Sequence, residues 1–356
     1  MAERVMMKGN EAIAEGAIRA GCRFFAGYPI TPQNEVPEYM SRRMPEVGGT
    51  FIQAESEVSA INMVYGAAGA GARAMTSSSS PGVSLKMEGI SYAAGSELPC
   101  VIVNVSRGGP GLGGLTPSQA DYFQATKGGG HGDYRLVVFA PASVQEIIDL
   151  MYQAFVTADK YRTPAMILAD GLLGQMMEPV TLPEDKDLQI PAKPWATTGM
   201  INGKPQSIIN SLGLVGEELE KINVRLQKKY QEIAANEVRF AEEDVKDADL
   251  VIVAYGTSAR VAKSAIDKAR AEGKKVGLFR PITLWPFPSK PLSELAKSGK
   301  RFLTVEMSVG QMVEDVKLAV NGQAQVDSFG KLNGTIPSVN EVYDAIIKSF
   351  NSQGVA

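Results

Sequence analysis

Three polar loop segments each follow directly on an apolar run that predicts a β-strand. They are residues 27–32 (GYPITP), the acidic stretch that contains Glu57, and residues 106–111 (SRGGPG). The carboxyl ends of parallel strands meet at one edge of an open sheet, which is where α/β folds bind ligands. The sequence therefore predicts one site that combines a carboxylate, the guanidinium of Arg107 and the hydroxyl of Thr31, without an obvious nucleophile, metal cluster or phosphate loop.

The chain alternates strand and helix signals, which favours an α/β fold with doubly wound open sheets. The continuous apolar run at 99–105 is typical of a parallel strand that is buried on both faces. Asn10 is a predicted helix cap. Thr31 followed by Pro32 predicts a second helix start, because proline fits the first helical position.

Turn signals and charge divide the chain into three predicted parts. Residues 1–190 form a first α/β domain. Residues 191–245 form a connector that is extended at its prolines and then carries a charged pattern at 215–240, typical of an exposed helix. Residues 246–356 form a second α/β domain, in which residues 256–258 (GTS) begin a helix and resemble a weak anion cradle.

The composition excludes several classes of site. The 356 residues are 44% hydrophobic and 21% charged, with a formal net charge of −3, so no basic surface indicates nucleic acid or an anionic membrane. Two cysteines and one histidine are too few for a disulfide framework, a four-thiolate cluster or a histidine-rich zinc site. No apolar run approaches the ~20 residues of a spanning helix, and the first residues lack a signal core, so a cytoplasmic protein is expected.

Each candidate side chain also has a purely structural interpretation. Glu57 lies near a predicted helix start, where an acid interacts favourably with the helix dipole. Arg107 precedes a run of glycines that lets a ligand approach the backbone, but pairing with a neighbouring acid is equally compatible with the pattern. Thr31 fits a helix cap, and a structural role is favoured for His131. The residues alone leave these alternatives open.

Several motifs together resemble a known family. The YPITP run at 28–32, the ESEVSAIN segment at 55–62 and the SRGGPGLGG loop at 106–114 are similar to those of the thiamine-diphosphate-dependent 2-oxoacid:ferredoxin oxidoreductases. The resemblance is to the subunit that carries a pyrimidine-binding domain followed by a transketolase-C-terminal-like domain. It covers most of the chain and is weakest across 181–245. Further segments of the sequence, including KGGGHGDYR at 127–135, look most like those of the branched-chain (3-methyl-2-oxobutanoate) members.

The resemblance implies how this chain would hold thiamine diphosphate. Glu57 matches the glutamate that hydrogen-bonds the pyrimidine ring nitrogen, and Tyr28, Pro29 and Ile30 are expected to line the same end of the cofactor. No metal site is expected on this chain, because the motif that binds Mg²⁺ and diphosphate is absent. Mg²⁺ and [4Fe-4S] clusters are therefore expected on partner subunits, so that the active site forms between subunits.

The resemblance also implies the reaction and the partners. Arg107 matches the arginine that pairs with the 2-oxoacid carboxylate, and Thr31 and Gly108 are expected to bind substrate beside it. The implied reaction converts a branched 2-oxoacid, coenzyme A and oxidised ferredoxin to acyl-CoA, carbon dioxide and reduced ferredoxin. The implied complex includes a subunit that binds the diphosphate of the cofactor, a ferredoxin-like iron–sulfur subunit and a small accessory subunit.

Other functions stay open at this stage. The 2-oxoglutarate enzyme of the same family is the nearest alternative. Leu112, Leu115 and Tyr122 around the Arg107 loop favour an apolar substrate tail, whereas Lys127 nearby would suit a dicarboxylate. A transketolase-like carbon–carbon ligase and a non-catalytic assembly subunit are the alternatives of another class.

Overall fold

The computed structural model describes residues 4–183, 188, 190–200, 203–332 and 334–351. Most of the predicted apolar runs form strands. In chain order the strands are β1 (Arg4–Lys8), β2 (Phe24–Gly27), β3 (Thr50–Gln53), β4 (Ala74–Ser78), β5 (Val101–Ser106), β6 (Val137–Phe139), β7 (Ala165–Asp170), β8 (Met177–Thr181), β9 (Phe240–Glu243), β10 (Leu250–Val253), β11 (Val276–Pro281), β12 (Thr283–Trp285), β13 (Arg301–Glu306) and β14 (Val326–Gly330).

Helices alternate with these strands along most of the chain. They are α1 (Gly9–Arg19), α2 (Glu35–Glu46), α3 (Glu57–Gly69), α4 (Ser80–Gly95), α5 (Tyr122–Thr126), α6 (Val144–Tyr161), α7 (Gly171–Gln175), α8 (Gly216–Asn236), α9 (Gly256–Ala271), α10 (Ser289–Lys297), α11 (Met312–Val320) and α12 (Val339–Asn351). In the part of the chain that the structure describes, no helix combines the length and apolar composition needed to cross a bilayer.

Two open sheets organise the molecule. The larger sheet has the strand order β12-β6-β7-β5-β4-β2-β3, and its strands are parallel except that β12 runs antiparallel to β6. The second sheet has the order β14-β13-β10-β11-β9, with β9 antiparallel to β11. β1 and β8 form a separate antiparallel pair. The predicted α/β class with two open sheets is confirmed.

Local sequence explains the elements around the larger sheet. Every residue of β4 and β5 is buried, as expected of parallel strands that are covered on both faces. Ser56 caps α3, and its hydroxyl accepts a hydrogen bond from the backbone N–H of Ser59 at 3.2 Å. The prediction that Glu57 opens a helix is therefore confirmed.

The predicted helix start at Thr31 is wrong, because α2 begins only at Glu35. The carbonyl of Pro32 accepts hydrogen bonds from Asn10 Nδ2 (2.7 Å) and Gln175 Nε2 (3.1 Å). A helix that began at Thr31 would instead use this carbonyl for a backbone bond one turn later. Two side chains from distant parts of the sequence thus hold residues 28–34 as a loop.

The predicted cap at Asn10 is also wrong. α1 begins at Gly9, so Asn10 lies inside the helix. The cap position is Lys8, whose backbone N–H donates to Glu11 Oε2 at 3.0 Å. Asn10 is fully buried, and its amide also donates to Glu35 Oε2 at 2.7 Å. Its function in the fold is therefore to fix the loop between β2 and α2.

The connector helix α8 is amphipathic rather than wholly exposed. It buries Leu226, Tyr230 and Ile233, and Lys229 Nζ lies 2.9 Å from Glu97 Oε1 at the end of α4. One face of α8 therefore packs on the larger unit and the other faces solvent. The domain boundaries at 190 and 245 stay a prediction. β9 lies before residue 245 but pairs in the second sheet, whereas β12 lies after it but pairs in the first sheet.

Gln119 joins the two sheet units. It is 3% exposed, and its Nε2 donates to the carbonyl of Tyr255 at 2.9 Å. Its Oε1 accepts from Ser258 Oγ (2.6 Å) and from the backbone N–H of Met307 (3.0 Å). One side chain thus satisfies three buried polar groups of the second unit, which would otherwise lack partners.

We predict that Gln119→Ala lowers the free energy of unfolding by about 2–4 kcal/mol, because it leaves buried donors and acceptors unpaired. Urea unfolding of the variant and the parent chain measures this difference. Gln124→Ala is the matched control, since the amide of Gln124 makes only an exposed bond to Ser84 Oγ. Equal losses for the two variants would contradict the assigned role of Gln119.

Candidate active site

The segments after β2, β3, β4 and β5 lie at one edge of the larger sheet. These four strands are parallel neighbours in the order β5-β4-β2-β3, so their carboxyl ends are adjacent. The loop at 28–34 follows β2, Glu57 opens α3 after β3, and Arg107 directly follows β5. The structure therefore brings together the three segments that the sequence placed at one site.

Glu57 is a buried carboxylate, only 6% exposed, at the N-terminus of α3. It lies against Gly82 of α4, where an added Cβ would stand 2.6 Å from Glu57 Oε1 and would also collide with Ser78 Oγ. The close approach therefore requires glycine. Glu55, two residues earlier, is exposed. An acid that served only the helix dipole would not need this burial, which favours a functional role for Glu57.

Arg107 does not pair with an acid within the described residues. Its Nη1 donates to the carbonyl of Thr31 at 2.7 Å and its Nη2 to the carbonyl of Leu112 at 3.2 Å. The guanidinium is 7% exposed, and its Nε has no partner. Backbone carbonyls thus fix the cation in place without neutralising its charge, which leaves it able to attract an anion.

The neighbouring loops complete this arrangement. The hydroxyl of Thr31 accepts from Asn34 Nδ2 at 3.3 Å, while Tyr28 and Pro29 are exposed and Ile30 is half-buried. These side chains lie on the loop that Asn10 fixes.

Gly108 helps to shape the loop after β5. Its backbone N–H donates to the carbonyl of Thr116 at 2.9 Å, and its own carbonyl accepts from the N–H of Gly114 at 2.8 Å. Both backbone polar groups are therefore used inside the loop, so Gly108 contributes a shape rather than a free donor.

Unpaired polar atoms mark the inside of the site. Buried side-chain atoms without a hydrogen-bond partner occur on the residues at this edge, namely Gln33 Nε2, Ser78 Oγ, Ser79 Oγ, Ser106 Oγ and Arg107 Nε. A buried donor or acceptor left unpaired costs about 1–3 kcal/mol. A concentration of such atoms at one sheet edge indicates a place where a polar ligand binds.

Lys86 lies one turn of α4 after Gly82, the glycine that contacts Glu57, and sequence analysis did not identify it. Its side chain is fully buried, and its Nζ donates to Thr76 Oγ1 at 2.8 Å. Burial lowers the pKa of the Lys86 ammonium to about 8, while attraction to Glu57 opposes the shift. The available signal was a lysine on the helix face of Gly82 and Gly89, which otherwise carries only small residues.

Gln33 was likewise missed. It is fully buried, and its Oε1 accepts from Ser77 Oγ at 2.5 Å, which leaves its amide nitrogen facing the site without a partner. A single glutamine in a loop gives no pattern from which this role is predictable.

Other candidates lie away from the site. His131 is exposed and contacts the ring of Tyr92 edge-on, at 6.0 Å between ring centroids. Of the weak anion cradle at 256–258, Ser258 donates to Gln119 at the contact between the sheet units. Among the described residues no cluster of metal-ligating side chains is present.

The predicted contributions of four side chains to the choice between an apolar and an acidic substrate tail need correction. Tyr122 is fully buried and donates to Asp315 Oδ2 at 2.6 Å, so it does not line the site. Lys127 forms an ion pair with Asp315 on α11, in which its side chain stays 45% exposed. Leu112 and Leu115 are 88% and 60% exposed on the loop itself.

Comparisons with known proteins agree with this geometry. A family model described as pyruvate flavodoxin/ferredoxin oxidoreductase, thiamine-diphosphate-binding, matches residues 15–235. A second, described as pyruvate:ferredoxin oxidoreductase core domain II, matches residues 248–342.

Individual relatives point the same way. The chain is 54% identical to the ketoisovalerate oxidoreductase subunit VorB of Methanothermobacter marburgensis over 95% of both chains. It is 37% identical to the 2-oxoglutarate synthase subunit KorA of the same organism, over 98% of this chain and 99% of the relative.

One solved structure extends the comparison to the whole fold. The 2-oxoglutarate:ferredoxin oxidoreductase from Magnetococcus marinus superposes with a TM-score of 0.87 at 26% identity, over 98% of this chain. This chain spans 66% of that structure's chain, which is less than two thirds of its length. From the extent of these matches, the chain belongs to the family of 2-oxoacid:ferredoxin oxidoreductase subunits that carry the thiamine-diphosphate-binding domain.

Proposed function

We propose that this chain is the subunit of a branched-chain 2-oxoacid:ferredoxin oxidoreductase that carries the pyrimidine-binding site. The complex would convert 3-methyl-2-oxobutanoate and coenzyme A to acyl-CoA and carbon dioxide, with reduction of ferredoxin. The observation that carries the proposal is the 54% identity to a ketoisovalerate subunit, against 37% to a 2-oxoglutarate subunit. The cytoplasmic location expected from the sequence remains part of the proposal.

The residues at the site fit the aminopyrimidine end of thiamine diphosphate. Glu57 offers a buried carboxylate for the ring nitrogen, and Gly82 keeps the space beside it free of a side chain. Ser78 and Gln33 supply buried polar atoms that lack partners. Tyr28 and Pro29 lie exposed at the end of β2, where they would cover the ring.

When bound, thiamine diphosphate supplies the carbanion chemistry that a 2-oxoacid decarboxylation requires. Glu57 would exchange a proton with the pyrimidine ring nitrogen, within a site from which the surrounding helices exclude water. Arg107 would bind the substrate carboxylate, because its buried charge is held by carbonyls and not neutralised by a carboxylate. Thr31 lies directly beside Arg107, and its hydroxyl would contact the same substrate.

The site is proposed to form between subunits. α3 and α4, the helices that carry Glu57 and Gly82, expose four large apolar side chains, namely Val58 (44%), Met63 (38%), Leu85 (56%) and Tyr92 (39%). An exposed apolar patch of this kind is typical of a protein interface. A partner that binds there would bring the Mg²⁺ and diphosphate site. The [4Fe-4S] clusters are assigned to a ferredoxin-like subunit, and a small accessory subunit completes the expected complex.

We predict that Glu57→Gln leaves the complex assembled and lowers turnover by at least about 100-fold, because the amide cannot exchange the proton. Size-exclusion chromatography tests assembly, and reduction of a redox dye by the purified complex measures turnover. Glu55→Gln is the matched control, since Glu55 is exposed in the same segment. Full activity of the Glu57 variant would instead support a non-catalytic assembly subunit.

We predict that Arg107→Ala raises the KM for every 2-oxoacid by about 10- to 100-fold, the equivalent of one charge-assisted hydrogen-bonding group. Initial-rate measurements with several 2-oxoacids test this. Arg42→Ala, which removes a cation stacked on Tyr39 away from the site, is the control. An unchanged KM in the Arg107 variant would refute its role as the carboxylate-binding group.

We predict that kcat/KM of the purified complex is at least about tenfold higher for 3-methyl-2-oxobutanoate than for 2-oxoglutarate. Because Lys127 is paired with Asp315, Lys127→Met should leave this ratio unchanged. A preference for 2-oxoglutarate would favour the alternative family member. Acyl transfer between carbon compounds without electron transfer to ferredoxin would favour a transketolase-like ligase.

A further inference from the structure

Lys86 is a charged side chain that the proposed mechanism does not use, although it lies one turn of α4 after the glycine that contacts Glu57. It is fully buried, and its hydrogen bond goes to the neutral hydroxyl of Thr76 at 2.8 Å. Within the described part of the chain it forms no ion pair at 4.0 Å or less. A buried ammonium without a directly paired carboxylate is unfavourable for folding.

Helix geometry directs Lys86 toward α3. Gly82, Lys86 and Gly89 are spaced four and three residues apart, so they share one face of α4. An added Cβ would stand 2.6 Å from Glu57 Oε1 at Gly82 and 2.6 Å from Ile61 Cγ2 at Gly89. The side chain of Lys86 therefore leaves α4 between the two residues at which that helix contacts α3, one turn after the contact between Gly82 and Glu57.

Few other charges face this position. Glu57 is the charged residue of α3, and neither β4 nor β5 contains one. On α4, Glu88 is exposed and accepts a hydrogen bond from Tyr92. Asp121 directly precedes α5 in the sequence, but its carboxylate reaches the first residue of α4 and accepts a hydrogen bond from Ser80 Oγ at 2.6 Å. Arg107 directly follows β5, and its guanidinium donates to the carbonyls of Thr31 and Leu112. Within α3, α4, β4 and β5, Glu57 is therefore the buried anion on which the charge of Lys86 acts.

We propose that Lys86 is a positioning residue that stabilises Glu57 as a carboxylate, so that the proton the site shares with the pyrimidine ring rests on the ring nitrogen. The inference rests on the proposed function. A nearby cation favours the ionised form of a carboxyl group, and the low-polarity surroundings strengthen this attraction. Lys86 would act through Glu57, without touching substrate. This role would explain why a buried lysine occupies a position where its charge destabilises the folded state.

The test compares two substitutions in the assembled, cofactor-loaded complex. Lys86→Gln removes the charge and keeps an amide that can donate to Thr76. Thr76→Val keeps the charge and removes the acceptor. Near-ultraviolet circular dichroism reports the protonation of the bound aminopyrimidine ring as a function of pH. We expect Lys86→Gln to lower the pH midpoint of this transition by about one unit or more, because a protonated Glu57 no longer stabilises the charged ring, and Thr76→Val to leave it unchanged.

The outcomes separate the possible roles. Equal midpoint shifts in the two variants would show that Lys86 only braces α4 against β4, and would overturn the proposal. An unchanged midpoint in Lys86→Gln would do the same. Failure of both Lys86→Gln and Lys86→Met to assemble, while Thr76→Val assembles, would also assign a purely structural role. A parent complex without any aminopyrimidine signal would instead contradict the proposed function.

A second measurement needs no activity. Because burial lowers the pKa of folded Lys86 to about 8 from 10.5, the unfolded chain binds more protons between these values. The folded state of the parent should therefore gain stability, relative to Lys86→Met, as the pH rises from 8 to 10.5. Urea unfolding of both proteins across this range measures the difference. Parallel curves would show that folding does not desolvate the Lys86 ammonium, and would remove the buried charge on which the proposal rests.

Discussion

The close contact between α3 and α4 is the constraint on which the site depends. Gly82 lets α4 approach the carboxylate of Glu57, and a Cβ at that position would also collide with Ser78 at the end of β4. An alanine there would separate the helices or displace the carboxylate. The same contact helps to bury Glu57, and the buried Lys86 follows one turn further along α4. Backbone packing thus determines the electrostatics of the site before any ligand binds.

The site of this chain is rigid on one side and incomplete on the other. Arg107 is fixed by the carbonyls of Thr31 and Leu112, and the loop of Thr31 is fixed in turn by Asn10. Such prior ordering lowers the entropy that is lost when a ligand binds. Under the proposed function, a ligand would satisfy the unpaired polar atoms, and a partner subunit would cover the exposed apolar side chains of α3 and α4.

The features that the sequence predicted correctly depend on neighbouring residues. The buried strands follow from continuous apolar runs, and the start of α3 follows from a serine cap directly before Glu57. The features that it missed depend on distant ones. The helix start at Thr31 was wrong because Gln175 and Asn10 take the carbonyl of Pro32. The contacts of Gln119 reach residues more than 130 positions away in the sequence, and no local pattern predicts them.

The same distinction bears on substrate selection under the proposed function. Arg107 recognises a group that all 2-oxoacids share, so it cannot distinguish a branched tail from a second carboxylate. Within this chain the candidate apolar side chains beside it, Leu112 and Leu115, are 88% and 60% exposed, and an exposed leucine selects little. Tyr122 and Lys127 are both engaged by Asp315. Selection of the tail therefore requires that another surface covers the Arg107 loop, which makes specificity a property of the assembled complex.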